Sequence, residues 1–222
     1  MRAARAVRAL SLITTSIIGV AALAVPAAAA SGTGGTAPTA SIARVAVGWH
    51  HLNLRAGHRA VVHGRALPRR RGVRALLQIR RRSGWRTLDH DRTGVRGRYK
   101  LHRRVHRPMS ARARVVLRAH GRRLHRRVGR LNVYRWANAS WYGPGLYGNH
   151  LACGGTLTAG TVGVAHKSLP CGARLTLRHR GHVVRVRVID RGPYVAGREF
   201  DLTEATARRL RFHGHGPLQV TR

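Results

Sequence analysis

Residues 183–190 read VVRVRVID, and Val184, Val186, Val188 and Asp190 share one parity while Arg185 and Arg187 take the other. Period-two alternation sends the two sets to opposite faces of a β-strand, so Asp190 is an ionisable group at the end of an otherwise apolar face. Arg191-Gly192-Pro193 then ends the strand, because proline brings no N–H to a ladder. The chain has only six acids, and four of them fall between Asp190 and Glu204. A carboxyl in such a place suits general acid–base chemistry. The alternative is a buried salt bridge or a turn cap, with Arg191 or Arg198 as the partner. Asp201 comes just before a short helical stretch, with Thr203 as its N-cap, Arg208 and Arg209 near its end and Gly214 beyond. It either helps to shape a site or caps the helix. Glu204 complements the helix N-terminus, and Glu199 is expected to be exposed. Trp141 and Tyr142 offer ring faces to a ligand, but as strand neighbours they point oppositely. One can line a groove while the other packs in the core.

These residues need strands to hold them, and the sequence supplies strands throughout. Val73, Ala75, Leu77 and Ile79 alternate with Arg74, Gln78 and Arg80, and Ala113, Val115, Leu117 and Ala119 alternate with Arg112, Arg114 and Arg118. Glycines at 57, 64, 72, 84, 94, 97, 121 and 129 punctuate the runs at sandwich-like spacing. The expectation is an all-β protein. Residues 41–135 form a basic β-sandwich, and Arg82-Ser-Gly-Trp-Arg-Thr with Thr93-Gly-Val-Arg-Gly-Arg-Tyr resembles the secreted bacterial immunoglobulin-like repeat. Asp89 and Asp91 are its only acids, and arginines can neutralise both.

Charge restricts the function. The 222 residues carry 43 Lys plus Arg against 6 Asp plus Glu, a net charge of +37, with 43% hydrophobic residues to build a core. Residues 41–135 hold 28 bases and 2 acids, and residues 136–222 hold 12 bases and 4 acids. Such a chain seeks a polyanion, and an ordinary metabolic enzyme is not the default. The first thirty residues read as a secretory signal peptide: Arg2, Arg5 and Arg8, an uncharged apolar stretch from Ala9 to Val25, and Ala28-Ala29-Ala30 before Ser31. Residues 31–40 (SGTGGTAPTA) read as a flexible linker. Export argues against nucleic acid as the partner and predicts a secreted or wall-associated monomer with no stable membrane anchor. It also makes a Cys153–Cys171 disulfide plausible. Two cysteines exclude a Cys-rich zinc site, and neither metal nor cofactor is expected.

Five blocks in the second half carry a resemblance. They are Ala139-Ser-Trp-Tyr-Gly143, Ala152-Cys-Gly-Gly155, Val164-Ala-His-Lys-Ser-Leu-Pro-Cys-Gly172, Val188-Ile-Asp-Arg-Gly-Pro193 and Arg198-Glu-Phe-Asp-Leu-Thr203. In this order they resemble the rare lipoprotein A (RlpA) family of double-psi β-barrels, a barrel shared with expansins. The resemblance covers residues 136–222. It implies a six-stranded barrel with a groove for a wall polysaccharide, and an activity of lytic transglycosylation on peptidoglycan. It also implies that Asp190 and His166 are catalytic, and that Tyr142, Trp141, Arg191 and Asp201 contact substrate. One position departs: catalytic members of the family carry a glutamate where this chain has Gly155.

Three functions follow. The first is a secreted lytic transglycosylase using Asp190 as acid and base. The second is a non-catalytic, expansin-like protein that binds or loosens wall polysaccharide, which Gly155 favours. The third is an electrostatic polyanion binder in which the barrel is only scaffold.

Overall fold

The computed structural model describes residues 42–222; the signal peptide and linker expected over residues 1–40 lie outside them. The first strands are β1 (Arg44–His51), β2 (Asn53–Arg55), β3 (Arg59–Leu67), β4 (Arg74–Arg81), β5 (Gly84–Arg92), β6 (Arg98–Arg104), β7 (Met109–Ala119) and β8 (Arg122–Tyr142). After them come β9 (Val164–Ala165), β10 (Arg174–His179), β11 (His182–Asp190), β12 (Phe200–Thr203), helix α1 (Glu204–Leu210) and β13 (Gly216–Val220).

In the first half β1, β3 and β6 form one sheet, and β5, β4, β7 and β8 run side by side in a second, with β2 alongside β8. Ala60 and Val62 of the first sheet share a single apolar cluster with Leu77, Ile79, Val115 and Leu117 of the second. Alternation explains these inward positions. It does not explain Leu76, Gln78 and Val116, which are buried on the opposite face. Gln78 is covered there by polar partners: it donates to Thr87 and accepts from Arg114, whose guanidinium lies 3.9 Å over the Trp85 ring. Asp89 and Asp91 are not neutralised by arginine side chains as expected. Their carboxylates reach across to β6 and accept the backbone N–H groups of His102 and Lys100 at 2.6 and 2.8 Å. That satisfies donors on an edge strand otherwise open to pairing.

β8 belongs to both halves. Its first part pairs with β7, and its last residues, from Arg135 to Tyr142, enter a second structure. There β8, β13, β10, β11, β9 and β12 pair in that order, and β12 returns to pair with β8. The ring is a closed six-stranded barrel, which leaves no sheet edge. Two of its contacts are parallel, β12 with β8 and β11 with β9. Ala139, Val164, Leu175, Leu177, Val186, Val188, Phe200, Leu202, Leu218 and Val220 fill its interior.

Helix α1 starts after Thr203 as expected, but the Thr203 hydroxyl does not cap it. That hydroxyl and the Thr206 hydroxyl instead bond Gly163 through both its N–H and its C=O. Gly163 has no room for a side chain as packed: a Cβ there would overlap the side chain of Ile189.

Candidate functional site

A β-bulge builds the site. Along β11 and β9, Val188 pairs with Val164, but the next pair is Asp190 with Ala165, so two residues of β11 advance against one of β9. Val188 points into the core. Without the bulge Asp190 would follow it, as strict alternation predicts. The extra residue instead brings Asp190 beside Ala165, on the outward row. Bulges commonly re-aim a side chain in this way. The row continues across the ring, since Ala165 pairs with Asp201 and Asp201 with Ser140. Four neighbouring strands thus present Asp190, Ala165, Asp201 and Ser140 side by side, with strands about 4.8 Å apart.

Three donors fix the Asp190 carboxylate. Its Oδ1 accepts the backbone N–H groups of Ala152 and Arg191, both at 2.9 Å, and its Oδ2 accepts the Tyr142 hydroxyl at 3.3 Å. Tyr142 titrates well above the ordinary phenol range, first because it is buried and then because ionised Asp190 opposes a phenolate. It therefore remains a donor. Asp201 accepts the Ser140 hydroxyl at 2.9 Å. Burial raises its pKa, the Ser140 hydrogen bond and Arg198 lower it, and Asp190 adds to the rise; the net shift is upward. The groove thus contains two carboxyls, with the proton more readily held on Asp201 than on an exposed aspartate.

The cleft over this row has a volume of about 310 Å³, and Tyr142, Asp190, Arg191 and Asp201 all line it. Apolar side chains shape its sides, among them Leu146, Leu157 and Pro193. At its lip Tyr194 is 80% exposed. Sequence reasoning missed Tyr194; its signal was an aromatic directly after the strand-ending Arg-Gly-Pro turn.

Two residues expected in the site are placed otherwise. Trp141 neither lines the cleft nor joins the core. It is the last inward-parity residue before β8 ends, and its ring opens to solvent there, 37% exposed. His166 follows Ala165 and so faces the other side of β9. Its backbone N–H reaches the Asp190 carbonyl, but its ring packs 4.8 Å from Phe200. Its Nδ1 accepts the backbone N–H groups of Ser168 and Leu169 at 3.1 and 3.0 Å. An accepting Nδ1 carries no proton, so the neutral ring bears its hydrogen on Nε2, which lies 3.8 Å from Glu199. Burial lowers the pKa of His166, partly offset by Glu199. The structure does not bring this ring to the Asp190 carboxylate. Glu199, expected to be exposed, is instead clasped by both terminal nitrogens of Arg135.

Arg191 lines the cleft but spends its guanidinium on the neighbouring loop. It donates to the carbonyls of His166 and Leu169 at 3.2 and 2.9 Å and to Cys171 Sγ at 3.2 Å. Cys171 is in turn bonded to Cys153, with Cα atoms 5.4 Å apart. The disulfide therefore joins the loop after β9 to the loop whose Ala152 N–H holds Asp190. Closing a loop of this size contributes about 3 kcal/mol in the chain-entropy model. Gly155 lies in the same loop at φ +84, where any side chain is strained.

Comparison with known proteins bears on this half. Residues 136–221 match the family model described as lytic transglycolase. A probable endolytic peptidoglycan transglycosylase RlpA from Synechocystis sp. is 40% identical over 80 residues, 35% of this chain and 25% of that protein. One from Aquifex aeolicus is 42% identical over 74 residues, 32% of this chain and 33% of that protein. The endolytic peptidoglycan transglycosylase RlpA of Campylobacter jejuni is 37% identical over 84 residues, 37% and 30% of the two chains. The match thus spans a quarter to a third of the length of these relatives. Among solved structures, Streptomyces papain inhibitor has 20% identity and a TM-score of 0.32 over 40% of this chain and 94% of its own, too low a likeness to assign the fold.

Proposed function

Residues 136–221 belong to the RlpA-like double-psi β-barrel family, and we propose that this domain makes the protein a secreted lytic transglycosylase of peptidoglycan glycan strands. The observation that carries the proposal is the bulge that turns Asp190 out of the barrel into a groove of two carboxyls. Asp190 is the acid and base. As a carboxylate it takes the proton of the sugar's own C6 hydroxyl as that oxygen bonds C1 and closes an anhydro ring, and it passes this proton to the glycosidic oxygen as the old C1–O bond breaks. Asp190 ends as a carboxylate, so the cycle returns to its start and no water is consumed. One carboxyl therefore suffices, whereas ordinary glycoside hydrolysis uses two. Asp201 and Tyr142 orient the substrate and Asp190, Tyr194 offers a ring face to a sugar, and His166 and Arg191 act through the loop they hold. We read the two-sheet half as an immunoglobulin-like spacer whose positive charge retains the protein on anionic wall polymer.

Gly155 favours a second reading, a non-catalytic expansin-like protein that binds the same glycan in the same groove. Incubation with purified glycan strands and mass spectrometry of the products separates the two. Anhydro-sugar ends support the enzyme, and their absence at every pH from about 4 to 8 leaves the binding protein.

A further inference from the structure

The outer face of the first half carries a row of opposed like charges. Arg92 of β5 stands opposite Arg74 of β4, Arg74 opposite Arg118 of β7, and Arg118 opposite Arg123 of β8. All four are exposed. Adjacent strands lie about 4.8 Å apart, so the row spans roughly 14 Å. Directly opposed like charges destabilise a sheet, and among the described residues no carboxylate forms an ion pair with these four arginines. The chain's six carboxylates are engaged elsewhere: Asp89 and Asp91 on backbone amides, Glu199 with Arg135 and Glu204 with Arg208, Asp190 and Asp201 in the groove. The row borders a cleft of about 780 Å³, to which the turn before β4 adds Arg70 and Arg71, and no carboxylate lines it.

We propose that this row is a binding site for a linear phosphodiester-linked polymer, a polyol-phosphate chain of the cell wall, lying across β5, β4, β7 and β8. A chain running across the strands meets one guanidinium per strand. Each guanidinium presents a planar fork that matches two phosphate oxygens, and neighbouring forks can share one phosphate. Binding relieves the repulsion that the free protein carries. The choice of a wall polymer over other phosphate chains rests on the wall-directed function proposed for the barrel; the site itself does not use the groove.

The test measures binding of the full mature chain to synthetic poly(glycerol phosphate) in about 150 mM salt, where diffuse attraction is screened beyond ~8 Å. Single-stranded DNA and polyglutamate of matched charge are the comparison probes. The double substitution Arg74→Gln/Arg118→Gln should weaken poly(glycerol phosphate) binding at least tenfold and raise the melting temperature of the free protein. Arg55→Gln/Arg103→Gln, which removes the same charge elsewhere on this half, should weaken binding less than twofold. Equal losses in the two doubles would show diffuse charge and overturn the site. Tighter binding of DNA would overturn the polymer class, and so would equal binding of polyglutamate. Glycan cleavage separates this inference from the proposed function. Row variants that cleave and bind like wild type sink the site alone, while wild type that binds through the row and never cleaves sinks the enzyme alone.

Discussion

Asp190, Asp201 and Tyr142 make the groove chemically asymmetric, and the two tryptophan and tyrosine candidates of the sequence do not share the work of binding. Tyr142 is committed to Asp190, and Trp141 lies off the groove. The exposed tyrosine ring lining the groove is that of Tyr194. Tyr194→Ala should therefore weaken glycan-strand affinity by about tenfold, equivalent to about 1.4 kcal/mol, with no change in melting temperature. Trp141→Ala should leave affinity within about twofold. Titration with a defined glycan oligomer by calorimetry reads both, and a larger loss for Trp141→Ala would place the sugar elsewhere. His166 belongs to the same scale but to a different role. With Nδ1 bound to two amides of its own loop, it secures the stretch that Arg191 and Cys171 also hold.

The site depends on how strands register, and here the sequence was legible in part. Period two located β4, β7 and β11 and their inward residues, because one face of each packs into a core. The five motif blocks marked the half that closes into the barrel. The parity argument put Asp190 on the face of Val188, and the bulge puts it on the opposite one. A bulge depends on the partner strand, and β9 is two residues long, too short to show a period. The same limit hid the Thr203–Thr206 clamp on Gly163 and the pairing of Glu199 with Arg135, whose partners are 64 residues apart in sequence. Two predictions follow at this scale. Gly163→Ala must displace Ile189 and strain the bulge, so it should cost about 1–3 kcal/mol of stability, as overpacked sites do, and reduce glycan binding. Denaturant unfolding checks it, and an unchanged midpoint would show that Ile189 moves freely. Glu199 is held below its ordinary value of 4.5, chiefly by the Arg135 hydrogen bond, with burial opposing. A depressed carboxylate contributes stability that is fully present above the unfolded value and lost as pH falls through the folded one. Wild type should thus melt higher than Glu199→Gln at pH 7, and the gap should close on acidification below about 4.5. The pair is about a third exposed, so salt should narrow the gap too. A gap constant with pH would show that the carboxylate contributes shape and not charge.

The whole molecule joins a highly basic two-sheet half to a groove-bearing barrel along strand β8, with Ser110 of β7 also meeting Thr176 of β10. Binding of the full protein to isolated wall should weaken steeply between about 50 and 500 mM salt, because the screening length falls below ~10 Å above 0.1 M. Co-sedimentation across that range measures it; salt-insensitive retention would move the affinity into the groove.

The most direct measurement is mass spectrometry of purified glycan strands after incubation with wild type and with Asp190→Asn, each checked for an unchanged melting temperature. The amide keeps the shape, its oxygen can still accept the Ala152 and Arg191 N–H groups and its NH2 can donate to a turned Tyr142 hydroxyl, while the proton-transferring carboxyl is removed. The account predicts anhydro-sugar ends from wild type and their loss by a factor of about 10² or more in Asp190→Asn, the lower range of what general acid–base catalysis supplies. Cleavage by Asp190→Asn at the wild-type rate, or hydrolytic reducing ends in place of anhydro ends, would contradict it.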